Sequence, residues 1–411
     1  MKPSILFMLL SVAAIAAASR LAQGGEESPR DGDVKVVAAS DNAFGLELYG
    51  QLRSREGNLF LSPYSITSAL SMLYAGAGGD TEKEIAKVLH FSLPPQRLHP
   101  AFAELRGQLC SDTEKENYSL TVVNQLWGRA GAKFLKSYLD LTRRDYGAKL
   151  QELDFKGSPE SARKTINDWV EKESRGKIEN LLAPGAVSSD THLVLTNVIY
   201  FLGNWATQFD PDETQQADFH LSATRKVRVS MMHQEGQFGL RTNNNVQALT
   251  IHYRGFRLSM AILLPEKIDG LKALEESLTA ERLAGWRSTE TRQLDVYLPK
   301  FRVESQFDLA DALKSLGMGL AFSDQADFSG MNGRRDLAVT AAVHKAMVQV
   351  DETGTEAAAA TGIAVGATAA PGRPAVFRAD HPFLFLIRDE DTGCILFMGR
   401  VANPSGRSST D

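Results

Sequence analysis

Residues 353–374 read TGTEAAAATGIAVGATAAPGRP, a stretch made mostly of small side chains. It lies between two apolar runs, residues 346–350 and 383–387, that have the composition of buried strands. A long connection without an apolar pattern is uncommon inside a compact domain and usually serves a function or links two domains. Only a short terminal hairpin follows, which excludes a linker between domains. The sequence therefore predicts a functional loop near the carboxyl end of one domain.

The segments around this loop predict an α+β fold. Runs rich in apolar and β-branched side chains, typical of buried strands, are residues 193–201, 258–264, 294–298 and 346–350. Residues 383–387 and 395–398 flank a turn and predict a hairpin. Earlier in the chain, Ile66, Leu70, Leu73 and Tyr74 share one helical face. Helices followed by strands, without βαβ alternation, indicate a single α+β domain.

Composition and charge exclude several classes of protein. The chain has 411 residues, of which 43% are hydrophobic and 23% charged, so it is globular rather than disordered. Its formal charge of −5 provides no general attraction for nucleic acid or an anionic membrane. With only two cysteines, Cys110 and Cys394, the fold depends on its core. One disulfide and two free thiols both remain open.

The amino terminus predicts secretion. A lysine at position 2, an apolar run over residues 5–18 and small residues at its end are typical of a signal peptide; a membrane anchor is the alternative. We expect cleavage after residue 18, a mature single domain over residues 19–411 and an extracellular, soluble product. Asn117 begins the sequon Asn117-Tyr118-Ser119 and is then a candidate glycosylation site.

Motifs for catalysis, metal binding or cofactor binding were not found. The sequence contains no Gly-x-Ser-x-Gly elbow, His-Glu-x-x-His pair or phosphate-binding loop. Its eight histidines lack ligand spacing, so no metal site is expected. We predict that the chain is not an enzyme and carries no cofactor.

An ordered set of motifs resembles the serpins along almost the whole mature chain. The motifs are NLFLSPYSI at 58–66, NDWV at 167–170, NVIYF at 197–201, LPKF at 298–301, ADFS at 326–329, ETGTEAAAA at 352–360, HPF at 381–383 and FMG at 397–399. Residues 378–383 are similar to secreted serpins of blood-feeding ticks. The resemblance implies three β-sheets, eight or nine helices and an exposed reactive-centre loop at about 353–374. It also implies suicide inhibition of serine proteases, in which the cut loop inserts into the main sheet.

The loop composition suits insertion. Strand side chains alternate between two faces. With Thr355 inward, as the resemblance implies, the inward set is Thr355, Ala357, Ala359, Thr361, Ile363 and Val365, none of them charged. The predicted hinge comprises Glu352, Gly354, Thr355, Glu356, Ala357, Ala358, Ala359 and Ala360. A flexible linker would share this composition but would not need this order. A non-inhibitory serpin used for binding or transport is the alternative function.

The family's spacing predicts the reactive bond between Thr368 and Ala369. Their neighbours Ala367 and Ala370 are also small, which favours proteases with a shallow primary pocket, such as elastases. Arg373 is the competing site for a trypsin-like protease, although Pro374 follows it.

The resemblance assigns further roles beneath the loop. Ser62, Ser65, Asn197 and His344 match a polar cluster where the main sheet opens, and Trp205 matches an aromatic residue where the loop first inserts. Without the resemblance, the serines would be helix-start hydroxyls and His344 a core histidine. No dense basic run surrounds the positions where some serpins bind heparin, Arg97, Arg106 and Lys115, so heparin binding is not predicted. We expect a monomer.

Overall fold

The helices form mainly in the first half of the chain, as the apolar spacing predicts. The computed structural model describes residues 29–113, 117–286, 290–355 and 374–406. The α-helices within these ranges are α1 (Pro29–Leu52), α2 (Pro63–Gly76), α3 (Gly79–Val88), α4 (Pro95–Thr113), α5 (Lys136–Tyr146), α6 (Pro159–Glu173), α7 (Leu271–Glu276), α8 (Ala280–Gly285), α9 (Ala310–Leu316) and α10 (Ser329–Asn332). Single 3₁₀ turns cover Pro211–Glu213 and Leu320–Phe322.

One sheet has six strands and receives the beginning of the predicted loop. In spatial order the strands are β10 (Phe301–Asp308), β11 (Val339–Val350), β12 (Gly354–Thr355), β4 (Leu193–Asn204), β2 (Tyr118–Arg129) and β3 (Leu150–Leu153). β4 and β11 are parallel and pair directly along most of their length. Beyond Met347 and Tyr200 they no longer pair, and the short β12 lies between them.

A second sheet carries the end of the loop at its edge. Its path is β1 (Leu59–Leu61), β15 (Ile395–Val401), β14 (Phe383–Asp389), β8 (Leu258–Pro265), β7 (Val246–His252), β6 (Lys226–Asn243), β9 (Thr291–Pro299) and β13 (Ala375–Arg378), with β5 (Gln215–His220) paired to β6. β13 runs parallel to β9.

The α+β class is confirmed, but the element counts differ from those expected. Within the described ranges there are ten α-helices rather than eight or nine, and two hydrogen-bonded sheets rather than three. The sheets merge because β6 is 18 residues long. β6 pairs with β9 from Met231 to Gly239 and with β7 from Gly239 to Asn243. Two sheets that would otherwise be counted separately therefore share this strand.

The helix α2 fills the space behind the six-stranded sheet. Its first turn is closed by Ser62, whose Oγ accepts a hydrogen bond from Ser65 N–H at 3.1 Å, and Pro63 at the first position needs no donor partner. Nearly every residue of α2 is buried. Such a helix is buried all round rather than along one stripe, which explains its lack of a polar face.

The opposite face of the six-stranded sheet is covered by α6. Ile166 and Val170 pack against Val194 and Val198 of β4 and other buried residues of the sheet. Both faces are therefore buried, which is why β4 reads as a continuous apolar run. The predicted run 193–201 corresponds to β4, which continues to Asn204.

The cysteines do not pair with each other. Cys394 is buried and Cys110 exposed, and both are free thiols. Of the two possibilities left by the sequence, the structure has two free thiols. The predicted signal peptide, residues 1–18, lies outside the described residues.

Candidate functional site: the loop hinge and the sheet beneath it

The hinge of the predicted loop begins as a strand of the six-stranded sheet. Thr355 pairs with Val350 of β11 on one side and with Gly203 of β4 on the other. Its side chain is completely buried. Thr355, predicted as the first inward residue, thus lies between the two strands whose direct pairing ends just below it.

Backbone packing around Gly354 is very close. A Cβ atom at this position would lie 2.0 Å from the carbonyl oxygen of Gly203 and 2.7 Å from Cα of Asn204. Neither atom belongs to a side chain that could move aside, so only glycine fits. Asp351 shapes the turn before it, because its Oδ1 accepts hydrogen bonds from Thr353 N–H at 3.0 Å and from the Thr353 hydroxyl at 2.6 Å.

Two aromatic residues hold the hinge from below. Trp205 donates its backbone N–H to the Thr353 carbonyl and its indole N–H to the Asp351 carbonyl, both at 3.0 Å. Its ring stacks on Tyr253 with 4.7 Å between centroids. The Tyr253 hydroxyl lies 2.7 Å from Oγ1 of Thr355. Trp205 therefore contacts the hinge where the resemblance placed it, and Tyr253 extends the contact to Thr355.

A charged clamp holds Glu352 on the other side of the hinge. Lys300 Nζ lies 2.7 Å from Oε2 of Glu352, and the Thr214 hydroxyl donates to Oε1 at 2.8 Å. Partial burial opposes ionisation of Glu352, but the hydrogen bonds from Lys300, the backbone and Thr214 outweigh it and hold the Glu352 pKa below its usual value. The carboxylate is therefore kept charged and fastened.

Below the hinge, the four polar residues predicted to cluster are in contact. Asn197 donates through Nδ2 to the carbonyl of Ser65 at 2.8 Å and to its hydroxyl at 2.6 Å. Ser62 donates its backbone N–H to His344 Nε2 at 3.3 Å, and His344 Nδ1 donates to Asn197 Oδ1. The cluster connects α2 to β4 and β11, the two strands that would have to separate during insertion.

These contacts require a neutral histidine. With Nδ1 donating and Nε2 accepting, both nitrogens of His344 are paired and the ring carries one proton. Complete burial lowers the His344 pKa to about 3, and the bond to Asn197 opposes this only in part.

Sequence reasoning missed several residues of the site. Asn124 of β2 completes the polar cluster, because its Oδ1 accepts from Asn197 Nδ2 and from the Ser65 hydroxyl. Its signal was an amide side chain directly after two valines in a largely apolar stretch. Lys300 falls in the quoted LPKF motif but had no assigned role. Tyr253 and Thr214 gave no local signal, since their contacts depend on distant elements.

Several of the other predicted site residues lie outside the residue ranges that the structure describes. The predicted bond Thr368–Ala369, its neighbours Ala367 and Ala370, the competing Arg373 and hinge residues 356–360 lie outside the described residues. Asn117 is half-buried, and its Nδ2 would lie 2.6 Å from a Cβ atom on Gly255. Its glycosylation remains a prediction.

The described ranges contain neither a cluster of potential metal ligands nor a helix that could span a membrane. No group of three or more histidine, cysteine, aspartate or glutamate side chains there could hold a metal ion. No described helix is both long enough and apolar enough to cross a bilayer.

Comparisons with known proteins agree with the architecture. A family model described as Serpin (serine protease inhibitor) matches residues 39–404. Human Serpin B4 is 39% identical over 389 residues, which covers 90% of this chain and 99% of that protein. Leukocyte elastase inhibitor of Sus scrofa is 41% identical over 385 residues, which covers 90% of this chain and 100% of that protein. The crystal structure of uncleaved ovalbumin is 32% identical in sequence and matches with a TM-score of 0.83. The match covers 90% of this chain and 100% of the ovalbumin chain. The chain belongs to the serpin family.

Proposed function

We propose that this serpin inhibits serine proteases by covalent trapping, with the loop as bait and the six-stranded sheet as acceptor of the cut loop. The observation that carries the proposal is the burial of Thr355 between β4 and β11. Insertion would continue a strand that has already begun. Relatives whose names describe elastase inhibition support an inhibitory rather than a catalytic role.

The chemical step uses the protease's own mechanism. The protease serine Oγ attacks the carbonyl carbon of Thr368, the C–N bond to Ala369 breaks, and the amine of Ala369 leaves with the proton transferred by the protease's general base. An ester then joins the protease to Thr368. Residues 356–368 extend between β4 and β11 and carry the acylated protease with them before water can cleave the ester.

The driving force comes from backbone pairing. Each residue that enters the sheet pairs with β4 or β11, so two new strand interfaces replace the single direct pairing of β4 with β11. Each hydrogen bond gained beyond those lost contributes about 0.5–1.5 kcal/mol net. The inward side chains are small or apolar and need little desolvation. A charge at such a position would cost several kcal/mol on burial, roughly the gain from a few new bonds.

The target class follows from the residues at the reactive bond. Thr368 and its alanine neighbours fit a shallow primary pocket, and a bulky or charged specificity pocket would gain little from them. We therefore propose elastase-like targets. Cleavage at Arg373 by a trypsin-like protease is the competing possibility, and it would lengthen the strand to be inserted.

The test is to incubate the full chain with neutrophil elastase and, separately, with trypsin. Denaturing gels should show a covalent complex with elastase that survives detergent. Thr355→Arg places a charge at the buried inward position and should convert the inhibitor into a substrate that is only clipped. Glu356→Arg, at a position that alternation predicts to face outward, is the matched control and should keep the complex. Clipping without complex formation in the unmodified chain would overturn the proposal.

Thermal unfolding separates this function from that of a carrier serpin. A chain nicked within the loop between Ala360 and Thr368 should melt at a much higher temperature than the intact chain, because the freed loop completes the sheet. A carrier that cannot insert its loop should show no such increase.

We also propose that the protein is secreted after removal of residues 1–18 and glycosylated at Asn117. The support is the composition of the amino-terminal run and the sequon. Expression in a eukaryotic secretory host should give a mature chain beginning at Ser19 that shifts in mass with peptide N-glycosidase. An Asn117→Gln variant should show no shift.

A further inference from the structure

A cavity of about 300 Å³ lies between the six-stranded sheet and the helices α2, α4 and α5. It is lined by Tyr64 and Ser68 of α2, Arg106 and Cys110 of α4, Asn124 of β2 and Tyr146 of α5, among others. A cavity of this size accommodates a small organic molecule. It is separate from the hinge, although Asn124 belongs to both the cavity wall and the polar cluster.

Several polar groups around this cavity have no partner within the described residues. Tyr64 is only 3% exposed and Ser68 only 6%, yet neither hydroxyl makes a hydrogen bond there. Nε of Arg106 is also buried and unpaired within the described ranges, while its Nη2 makes one long bond of 3.4 Å to the Arg144 carbonyl. Buried polar groups are nearly always hydrogen-bonded. One buried donor without a partner among the described residues, Nε of Arg106, and two hydroxyl-bearing side chains that line the same cavity therefore point to an occupant that accepts hydrogen bonds.

The charge of the lining defines what that occupant carries. Arg106 provides a guanidinium group, which matches a carboxylate in shape and charge. No aspartate or glutamate lines the cavity within the described ranges. A carboxylate would pair with Arg106 and could accept from the hydroxyls of Tyr64 and Ser68, whereas a cationic group would find no carboxylate among the described residues that line the cavity.

A free, exposed thiol lies in the wall of the cavity. Cys110 is a free, exposed thiol that also lines the cavity wall. It follows Arg106 by four residues in α4, and residues four apart lie on the same side of a helix. The other thiol of the sequence, Cys394, is completely buried, so only Cys110 is open to reagents.

We propose that Cys110 and this cavity form a covalent site for small disulfides that carry carboxylate groups. The Cys110 thiol loses its proton, and its Sγ attacks one sulfur of the disulfide RS–SR. A bond forms between Cys110 and that sulfur while the original S–S bond breaks, and RS⁻ leaves and takes up the proton as RSH. The bound half keeps its carboxylate on Arg106 within the cavity.

The test compares two disulfides on the full chain by intact mass spectrometry. Oxidised glutathione carries carboxylates; cystamine carries only amines. We take the ratio of the rate constant for oxidised glutathione to that for cystamine. The intrinsic reactivity of the thiol is common to both reactions and cancels in this ratio. We expect a single adduct that is absent from Cys110→Ser, and a ratio that falls at least fivefold in Arg106→Gln.

Arg143→Gln is the matched control, since this exposed arginine of α5 does not line the cavity and its loss changes the net charge equally. It should leave the ratio unchanged. Tyr64→Phe removes one hydroxyl with little change in shape and should lower the ratio too, which provides a second reading if Arg106→Gln fails to fold. Equal ratios in the unmodified chain, Arg106→Gln and Tyr64→Phe would show an ordinary surface thiol and overturn the proposal.

Discussion

The hydroxyl of Thr355 lies 2.7 Å from that of Tyr253, just beyond the point where β4 and β11 stop pairing with each other. The first loop residue predicted to face inward is thus already bonded to the body of the protein. In the proposed mechanism, loop insertion would therefore start from a residue that is already paired and would need no nucleation step at Thr355. The strength of this first attachment should therefore influence how readily the rest of the loop follows.

Gly354→Ala should release this attachment. Its Cβ atom would lie 2.0 Å from the Gly203 carbonyl oxygen, so β12 must leave the sheet. We expect backbone amides at residues 354–355 to exchange hydrogen at least tenfold faster, as measured by mass spectrometry. Gly107→Ala in α4, where a Cβ meets no atom within 4 Å, is the control and should leave their exchange unchanged. Unaltered exchange in Gly354→Ala would mean that β12 does not depend on this close packing.

The clamp between Glu352 and Lys300 should weaken in acid. Despite partial burial, hydrogen bonds to the carboxylate lower the folded-state pKa of Glu352, so its stabilising contribution is complete above the unfolded pKa near 4.5 and is lost as pH falls through the folded value. Because Lys300 is 41% exposed, we expect only about 1 kcal/mol. The difference in unfolding free energy between the natural chain and Glu352→Gln, from urea titrations, should shrink from pH 6 to pH 3. A constant difference would argue against an ionised clamp.

His344→Gln should change how stability depends on pH. Complete burial lowers the folded-state pKa of His344 to about 3, compared with 6.5 for an unperturbed histidine. The neutral ring therefore stabilises the fold above pH 6.5, and this contribution is lost as pH falls, by about 1.4 kcal/mol per pH unit. The stability difference between the natural chain and His344→Gln should increase as pH rises from 4 to 6.5. Ser65→Ala disrupts the same cluster without removing a titrating group, so its stability loss should vary much less with pH.

Asp41→Asn should change the pH dependence of stability in the direction opposite to His344→Gln. Complete burial raises the Asp41 pKa to about 7, against the hydrogen bonds it accepts, which include one from Cys394 at 3.5 Å. The folded chain keeps this proton up to about pH 7 while the unfolded chain loses it near 3.8, so stability falls between those values and then levels off. Asp41→Asn should therefore gain stability relative to the natural chain as pH rises from 4 to 7 in urea titrations. A gain that is equal at every pH would show that Asp41 does not titrate.

Much of the architecture could be predicted from local patterns. The continuous apolar run at β4 indicated a strand buried on both faces, and α6 and α2 do cover both faces. The terminal hairpin of β14 and β15 and the helical face of α2 followed from period and turn residues alone. These features depend on neighbours a few residues apart, which the sequence displays directly.

The candidate site was only partly predictable. Thr355, Trp205 and the polar cluster came from a family resemblance, and their contacts join elements far apart in the chain. The ion pair of Lys300 with Glu352 spans 52 residues, and the bond of Asn197 to Asn124 spans 73. No local period reveals such pairs, since they depend on which strands become neighbours.

By itself the sequence determined the α+β class of the fold and predicted a loop of small side chains over residues 353–374, because side-chain size, polarity and spacing are local properties. The tertiary structure alone decided that β6 merges two sheets, that Cys110 and Cys394 remain apart, and that Tyr253 meets Thr355. Those outcomes depend on strand order and register, which arise when distant segments compete for the same partners during packing.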